Sequence, residues 1–81
     1  MTRVSVRFFA GAAEAFGATE TQVEGADTLA GLIESLAGAD ERLRMVLDQC
    51  SFFVDGEHST ALEKPLPEDG RIDVLPPFAG G

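Results

Sequence analysis

One segment near the middle of the 81-residue chain carries a strong helical pattern and divides the sequence into two parts. Asp27 or Thr28 suits the N-cap, because its side-chain oxygen can accept a hydrogen bond from a backbone N–H of the first turn. Gly38 lies where a left-handed residue would end the helix. The pattern predicts one main amphipathic helix whose apolar stripe faces the core. The stripe comprises Leu29, Leu32, Ile33 and Leu36.

The segments on both sides of the main helix alternate between apolar and polar residues, as a β-strand with one buried face does. In the first segment, Val4, Val6 and Phe8 alternate with polar or exposed positions. Threonines and acidic or amide side chains alternate in the second, so we expect it at an edge of the sheet. Asp55-Gly56 predicts a tight turn between the third and fourth strands. The predicted strands cover residues 3–9, 18–24, 51–54, 57–60 and 71–75.

Two shorter helical segments are also predicted. Residues 11–17 are rich in alanine and read as one helical turn closed by a glycine. Asp40 is a second N-cap candidate, and the helix that it begins would run to about residue 47 with Leu43, Val46 and Leu47 facing inward.

The order of these elements predicts an α+β fold, because two antiparallel hairpins flank one helix and only one face of the sheet is covered. A right-handed crossover through the helix can place the first and last strands side by side and parallel. The expected fold is therefore a β-grasp (ubiquitin-like) domain, with a mixed sheet of four to five strands and one main helix packed on one face. We expect it to occupy residues 1–75 as a single domain.

Residues 76–81 are predicted to form an extended C-terminal tail. Pro76 and Pro77 end the last strand, because neither has an N–H to donate and both hold the backbone extended. Gly80 and Gly81 have no Cβ, so the tip is thin and ends in the α-carboxylate. Such a tail suits insertion into the active site of another protein. The alternative is an ordinary frayed terminus without a function, as most domains have. The inserted residues would be Pro76, Pro77, Phe78, Ala79 and Gly80, ahead of Gly81.

A partner interface is predicted beside the tail. Parallel first and last strands would bring Phe9 and Leu75 to the same end of the sheet, on the face away from the main helix, with Phe78 just beyond them. Apolar residues next to such a tail indicate a docking surface. Arg7 and Arg71 lie on the same face and either join this interface or pair with acidic residues across the strands.

Composition narrows the classes of partner. The net charge of −8 argues against nucleic acid and anionic membranes and favours a basic protein. A single cysteine, Cys50, cannot form an intramolecular disulfide, and the N-terminus lacks a signal-peptide pattern, so we expect a cytoplasmic protein. Cys50 and His58 have no second ligand or base nearby in sequence, and neither a metal site nor catalytic residues are predicted. We expect Cys50 to pack as a small apolar residue and His58 to lie in a solvated loop.

Several motifs, in chain order, resemble the small-subunit family of molybdopterin synthase (MoaD), within the MoaD/ThiS superfamily of ubiquitin-like sulfur carriers. The resemblance covers essentially the whole chain. Its most specific part is the Pro-Pro-x-x-Gly-Gly ending, which favours this branch over the thiamin sulfur carrier (ThiS). The motifs are residues 4–10, the helix at 28–36, Val54-Asp55-Gly56, Pro65-Leu66, Asp69-Gly70 and residues 75–81.

The resemblance implies a non-catalytic chain that carries sulfur on Gly81. A ubiquitin-activating-type adenylating enzyme would use ATP to convert the Gly81 carboxylate to an acyl adenylate, and a sulfur donor enzyme would leave a thiocarboxylate. The tail would then enter the large subunit of molybdopterin synthase (MoaE-like) and give its sulfur to the pterin precursor of the molybdenum cofactor. No cofactor is expected on this chain, because ATP is used by the partner.

Three alternatives remain open from the sequence. The carrier could serve thiamin, cysteine or a thio-containing metabolite. The chain could instead be a ubiquitin-like modifier that attaches Gly81 to lysines of target proteins, since both chemistries share the adenylate. In the third alternative the chain is a structural interaction module in which the Gly-Gly ending is incidental.

Overall fold

The computed structural model describes residues 2–77, which form one mixed β-sheet with helices packed on one of its faces. This architecture confirms the predicted α+β, β-grasp fold. The described elements are, in chain order, β1 (Arg3–Phe8), α1 (Gly11–Phe16), β2 (Glu20–Glu24), α2 (Leu29–Ala37), α3 (Glu41–Gln49), β3 (Ser51–Val54), β4 (Glu57–Ser59) and β5 (Gly70–Leu75).

The five strands are arranged in the order β2-β1-β5-β3-β4. β1 and β5 are parallel, with Val6 opposite Ile72, whereas the β1–β2, β3–β4 and β3–β5 pairs are antiparallel. The predicted parallel pairing of the first and last strands is therefore confirmed, and β2 is an edge strand as expected. The last strand lies at the centre of the sheet, so the tail leaves the domain from its middle.

The helices begin where the sequence predicted. Thr28 caps α2, since its hydroxyl accepts a hydrogen bond of 3.1 Å from the Gly31 N–H. Asp40 caps α3 in the same way through the Leu43 N–H, at 3.1 Å. Gly38 follows α2 with φ 55°, but its ψ of −125° lies outside the left-handed helical region that was predicted for it.

The core lies between the helices and the sheet. Val4, Val6 and Phe8 of β1 and Ile72 and Val74 of β5 point to the helices and are almost completely buried. We call the other side of the sheet, which carries the alternate residues of each strand, the open face. Because strand side chains alternate, each core position on β1 and β5 has an open-face neighbour in the chain.

The two helical segments that were predicted to be shorter contribute more than the sequence suggested. α3 is as long as α2, at nine residues each, and runs to Gln49. Leu43 and Leu47 are buried as predicted, but Val46 is only half-buried. α1 contributes Phe16, whose ring stacks on Phe8 at 4.3 Å between centroids. Within residues 2–77, no helix combines the length and apolar character needed to cross a membrane.

Candidate functional site

The predicted sulfur-carrying end lies outside the described residues. Phe78, Ala79, Gly80 and Gly81 fall there, so their predicted roles remain predictions. The first two tail residues are described: Pro76 is half-buried and Pro77 is exposed, directly after the end of β5 at Leu75. The structure therefore defines the root of the tail and the surfaces around it.

An ion pair holds the middle of the open face. Arg7 of β1 faces Asp73 of β5 in the parallel register and binds it as a fork, with Nε donating to Oδ1 at 3.0 Å and Nη2 to Oδ2 at 3.3 Å. The hydrogen bond to Asp73 and the charge of its carboxylate raise the pKa of Arg7. Arg7 is partly exposed and Asp73 mostly buried. The bidentate geometry fixes the Arg7 side chain across the central strands.

Phe9 continues this arrangement toward the root of the tail. Its N–H donates to the Val74 carbonyl at 3.1 Å, which keeps Phe9 beside β5 after β1 has ended. The guanidinium of Arg7 lies over the Phe9 ring, at 5.4 Å from its centroid. Phe9 is 38% exposed and Leu75 is half-buried. Both occupy the face and the end of the sheet that the sequence predicted for them.

Phe53 and His58 belong to the same surface and were not predicted to do so. Phe53 on β3 lies opposite Asp73, and His58 on β4 lies opposite Phe53. Their rings stack at 5.0 Å between centroids. His58 is exposed to solvent as predicted, but it lies on a strand and stacks on an aromatic ring, which corrects the prediction that it lies in a loop. The period-two alternation of Ser51–Val54 was the available signal, because a buried Phe52 sends Phe53 to the open face.

We call the set of Phe9, Phe53, His58 and Leu75 the open-face patch. It flanks the Arg7–Asp73 pair and reaches the root of the tail. An apolar and aromatic surface around a fixed arginine has the composition of a protein-binding site. In the part of the chain that the structure describes, no group of three or more His, Cys, Asp or Glu side chains is arranged to hold a metal ion.

The other predicted interface arginine lies farther from the tail. Arg71 is at the opposite end of β5, where its backbone N–H donates to Asp55 Oδ1 at 2.8 Å. Its side chain is exposed. Arg3, also on the open face, pairs with Glu24 at 3.2 Å. The Arg7–Asp73 and Arg3–Glu24 pairs are the cross-strand charge pairing weighed as an alternative. The structure thus brings Arg7, but not Arg71, next to Phe9 and Leu75.

Cys50 lies at the C-terminal end of α3, on the helix side of the sheet. Its thiol donates a hydrogen bond to the Val46 carbonyl at 3.1 Å, and burial raises the pKa of this thiol. A half-buried thiol that is kept protonated is a poor nucleophile and a poor metal ligand. Cys50 packs against the core, as the sequence predicted.

A family model described as the ThiS family matches residues 6–81, which is nearly the whole chain and includes the tail. This match confirms the resemblance to the MoaD/ThiS superfamily, to which both the MoaD and the ThiS branches belong. Among curated proteins, no match is found.

Three solved structures share the fold over nearly the full length of both chains. A protein from Pyrococcus furiosus assigned as molybdopterin converting factor subunit 1 has a TM-score of 0.82 at 20% identity, covering 96% of this chain and 100% of that chain. Small archaeal modifier protein 1 (SAMP1) from Methanosarcina acetivorans gives 0.81 at 24% identity, covering 100% and 98%. A chain from the complex of subunits 1 and 2 of the molybdopterin-converting factor from Helicobacter pylori gives 0.72 at 26% identity, covering 99% and 100%.

Proposed function

Because the chain belongs to the ThiS family, we propose that it is a sulfur carrier whose Gly81 carboxylate is converted to a thiocarboxylate. The observation that carries this proposal is the family match, which extends through the C-terminal Gly81. The position of the tail supports it. The tail starts from the central strand of the sheet, beside the open-face patch, so that docking of the domain directs the tail into the partner.

The proposed loading has two steps. A carboxylate lacks a good leaving group, so an adenylating partner first joins the Gly81 carboxylate to the α-phosphate of ATP and releases pyrophosphate. A sulfide equivalent from a sulfur donor enzyme then attacks the acyl carbon and AMP leaves, which gives the thiocarboxylate. The chain itself supplies the acyl group and the docking surface, whereas the partners supply the catalysis and the nucleotide.

Glycine at the end of the tail favours both steps. Neither Gly80 nor Gly81 has a side chain that would collide with the nucleotide or the sulfur donor. Six extended residues from Pro76 reach roughly 20 Å, at about 3.3–3.6 Å per residue, which suits a recessed active site. Once bound, the thiocarboxylate is a soft nucleophile held at high effective concentration.

The acceptor that we propose is the large subunit of molybdopterin synthase, with this chain as its non-catalytic small subunit. The Pro-Pro-x-x-Gly-Gly ending supports this choice, as does the likeness to a chain from the Helicobacter pylori complex of subunits 1 and 2. In this proposal the open-face patch and Arg7 dock on the large subunit, and the tail delivers sulfur to the pterin precursor.

A protein modifier is the second candidate. The likeness to SAMP1 supports it, because a modifier with the same fold would also present a C-terminal glycine for adenylation. The two candidates differ in what attacks the activated Gly81: a sulfur donor makes a thiocarboxylate, whereas a lysine amine makes an isopeptide bond.

Intact-protein mass spectrometry tests the proposal. The full-length chain is incubated with ATP, a sulfur source and an adenylating enzyme from the same cell, with a chain lacking Gly81 as the matched control. We expect replacement of one oxygen by sulfur in the full-length chain only. The loaded chain is then given to the large subunit and the pterin precursor, and loss of sulfur from the chain should accompany formation of a sulfur-containing pterin.

Two outcomes would count against the proposal. If no adenylating enzyme of that cell modifies the full-length chain, it is not a sulfur carrier. The second outcome is that the chain is found joined to lysines of other proteins, and that the loaded chain keeps its sulfur when the large subunit and the pterin precursor are added. This outcome would favour the protein modifier.

A further inference from the structure

The edge strand β2 presents a row of backbone groups that the described chain leaves without partners. β2 pairs with β1 alone, in an unbroken antiparallel register. At one end of the ladder the Phe8 N–H donates to the Thr19 carbonyl at 2.9 Å, and at the other the Gly25 N–H donates to a carbonyl of the chain before β1 at 2.7 Å. Because hydrogen-bonded pairs alternate in an antiparallel ladder, positions 20, 22 and 24 direct their N–H and C=O groups away from the sheet.

The other edge of the sheet offers much less. β4 has three residues and is joined to β3 by a two-residue turn. Because the pair that closes such a hairpin, Val54 and Glu57, is hydrogen-bonded, only His58 of this strand directs both backbone groups outward. β2 is longer, at five residues, and contains no proline, lysine or bulge that would keep another strand away. β2 is therefore the edge at which the sheet can accept a further strand.

The side chains of β2 indicate what kind of strand this edge accepts. Glu20, Gln22 and Glu24 are exposed on the open face. Thr21 and Val23 are half-buried on the helix side. A strand paired antiparallel with β2 places one side chain directly opposite each glutamate, and opposite charges at such positions stabilise the pairing. The net charge of −8 also attracts a basic segment from a distance.

A second copy of the chain is the poorer occupant of this edge. Two β2 strands paired antiparallel about Gln22 would set Glu20 of one copy against Glu24 of the other, and like charges directly opposite are destabilising. Glu24 does pair with Arg3 of its own chain, but the two side chains are 57% and 54% exposed, and such surface pairs are weak. Both glutamates therefore remain available to a cationic partner.

We propose that β2 binds an extended basic segment of a partner protein, which pairs antiparallel as a sixth strand with lysine or arginine opposite Glu20 and Glu24. The residues between these two cations face the same side as Thr21 and Val23, where β-branched apolar side chains fit a half-buried sheet surface. The backbone hydrogen bonds supply affinity, and the alternate side chains supply specificity.

Binding at this edge leaves the root of the tail uncovered. β1 separates β2 from β5, so the added strand lies about 14 Å from β5, at about 4.8 Å per strand. A partner held here through an extended segment can stay attached while the open-face patch and the tail engage a second surface. This consequence rests on the proposed function, whereas the binding itself requires no sulfur chemistry.

A peptide titration followed by nuclear magnetic resonance of the full-length, ¹⁵N-labelled chain tests the site. The probe is the end-capped peptide Thr-Lys-Val-Thr-Val-Lys-Thr, whose lysines have the spacing of the two glutamates, and the control peptide has glutamate for both lysines. We expect amide shift changes in β2, largest at positions 20, 22 and 24, whose N–H groups gain an acceptor, and none in β4. The glutamate peptide should bind at least about tenfold more weakly at low salt.

N-methylated peptides separate strand pairing from charge attraction. Methylation of the central threonine nitrogen, opposite Gln22, removes a hydrogen bond to β2 and should abolish the shifts. Methylation of the next valine nitrogen, which points away from β2, should preserve them. The double variant Glu20→Lys, Glu24→Lys should reverse the preference and bind the glutamate peptide more tightly; both positions are exposed, so the variant should fold.

Three results would overturn the proposal. The first is that the lysine peptide leaves the β2 amides unchanged at millimolar concentration. The second is that the two methylated peptides bind equally well, because attraction between charges alone would then account for binding. The third is that the β2 shifts depend on protein concentration in the absence of peptide, since the occupant would then be a second copy. The titration contains no adenylating enzyme, so these results are independent of thiocarboxylate formation.

Discussion

Two pairs of adjacent phenylalanines show how the two sides of the sheet differ. Phe8 is 3% exposed and stacks on Phe16 beneath the helices, whereas Phe9 is 38% exposed on the open face. Phe52 is 5% exposed in the core, whereas Phe53 faces outward and stacks on His58. The members of each pair have the same chemistry and differ only in which side of the strand they occupy.

The contrast shows that residue type alone does not assign a role in this protein. The helix side is covered by the chain's own α1, α2 and α3, so its apolar residues stabilise the fold. The open face has aromatic residues but no covering element among residues 2–77. Apolar area that the chain leaves uncovered is available to a partner, and here it lies beside the root of the tail. Stability and binding should therefore be separable by substitutions one residue apart.

The largest expected effect is on stability, at Phe8. Phe8→Ala removes a fully packed ring and should lower the free energy of unfolding by about 3–5 kcal/mol. Phe9→Ala loses a partly exposed ring and its contact with Arg7, and should cost less than about 1 kcal/mol. Urea denaturation followed by circular dichroism measures both. Equal losses for the two variants would show that the faces are not distinct.

A glycine extends the comparison to a position without a side chain. Gly70 begins β5 on the helix side, and a Cβ there would lie 2.5 Å from Pro67 Cγ and 3.1 Å from the Pro67 carbonyl oxygen. Because the proline ring cannot move aside easily, Gly70→Ala should cost about 1–3 kcal/mol.

Gly31 in α2 is the matched control for Gly70. A Cβ at Gly31 meets only the Thr28 hydroxyl at 3.4 Å, an ordinary contact. Gly31→Ala should therefore raise the free energy of unfolding by about 0.5–1 kcal/mol through helix propensity. If both alanine variants were more stable than the natural chain, close packing at Gly70 would be disproved.

Substitutions in the open-face patch should weaken the binding of a partner. If the large subunit docks on the open-face patch, Phe53→Ala and Phe9→Ala should each weaken binding by about 1–2 kcal/mol, or roughly 5–30-fold in Kd. Isothermal titration calorimetry with the large subunit measures this. Leu62→Ala, an exposed apolar residue outside the patch, should leave Kd unchanged. A loss at Leu62 equal to that at Phe9 would place the interface elsewhere.

Local patterns predicted the fold well because each element carries its own signal. The alternation of apolar and polar residues predicted the strands, and the apolar stripe from Leu29 to Leu36 predicted α2. Thr28 and Asp40 cap their helices as expected. The tight packing of Gly70 on Pro67, by contrast, depends on tertiary contacts that the sequence does not specify. Val46 was predicted to face inward but is only half-buried, because it lies with Met45 on a side of α3 that the core leaves largely uncovered.

The site was predicted only where a strand register could be inferred. Parallel pairing of β1 and β5 placed Phe9, Leu75 and Arg7 together, because both strands were recognised from the sequence. Alternation along β3 indicates that Phe53 faces away from the core, but the position of Phe53 beside Asp73 and of His58 beside Phe53 depends on β3 pairing with β5 and β4 with β3, which alternation does not determine. The residues that would carry the chemistry, Gly80 and Gly81, lie outside the described residues, and their roles stay predictions.

The smallest expected effect concerns Cys50, on the helix side of the sheet. Burial raises the pKa of its thiol in the folded chain, so folding favours the protonated form. In the unfolded chain the thiol loses its proton near its ordinary pKa of about 8.5. Above that pH the unfolded state binds fewer protons than the native state, and stability must fall as pH rises toward the folded-state pKa.

Comparison with Cys50→Ala isolates this contribution, because every other titrating group is common to both chains. The difference in unfolding free energy between the two should be constant below about pH 8 and should shift against the natural chain at higher pH, by at most about 1.4 kcal/mol per pH unit. Urea titrations at a series of pH values measure it. A difference that does not vary with pH would mean that the thiol is as solvated in the fold as in the unfolded chain, and the helix side at Cys50 would then be as open as the surface around Phe9.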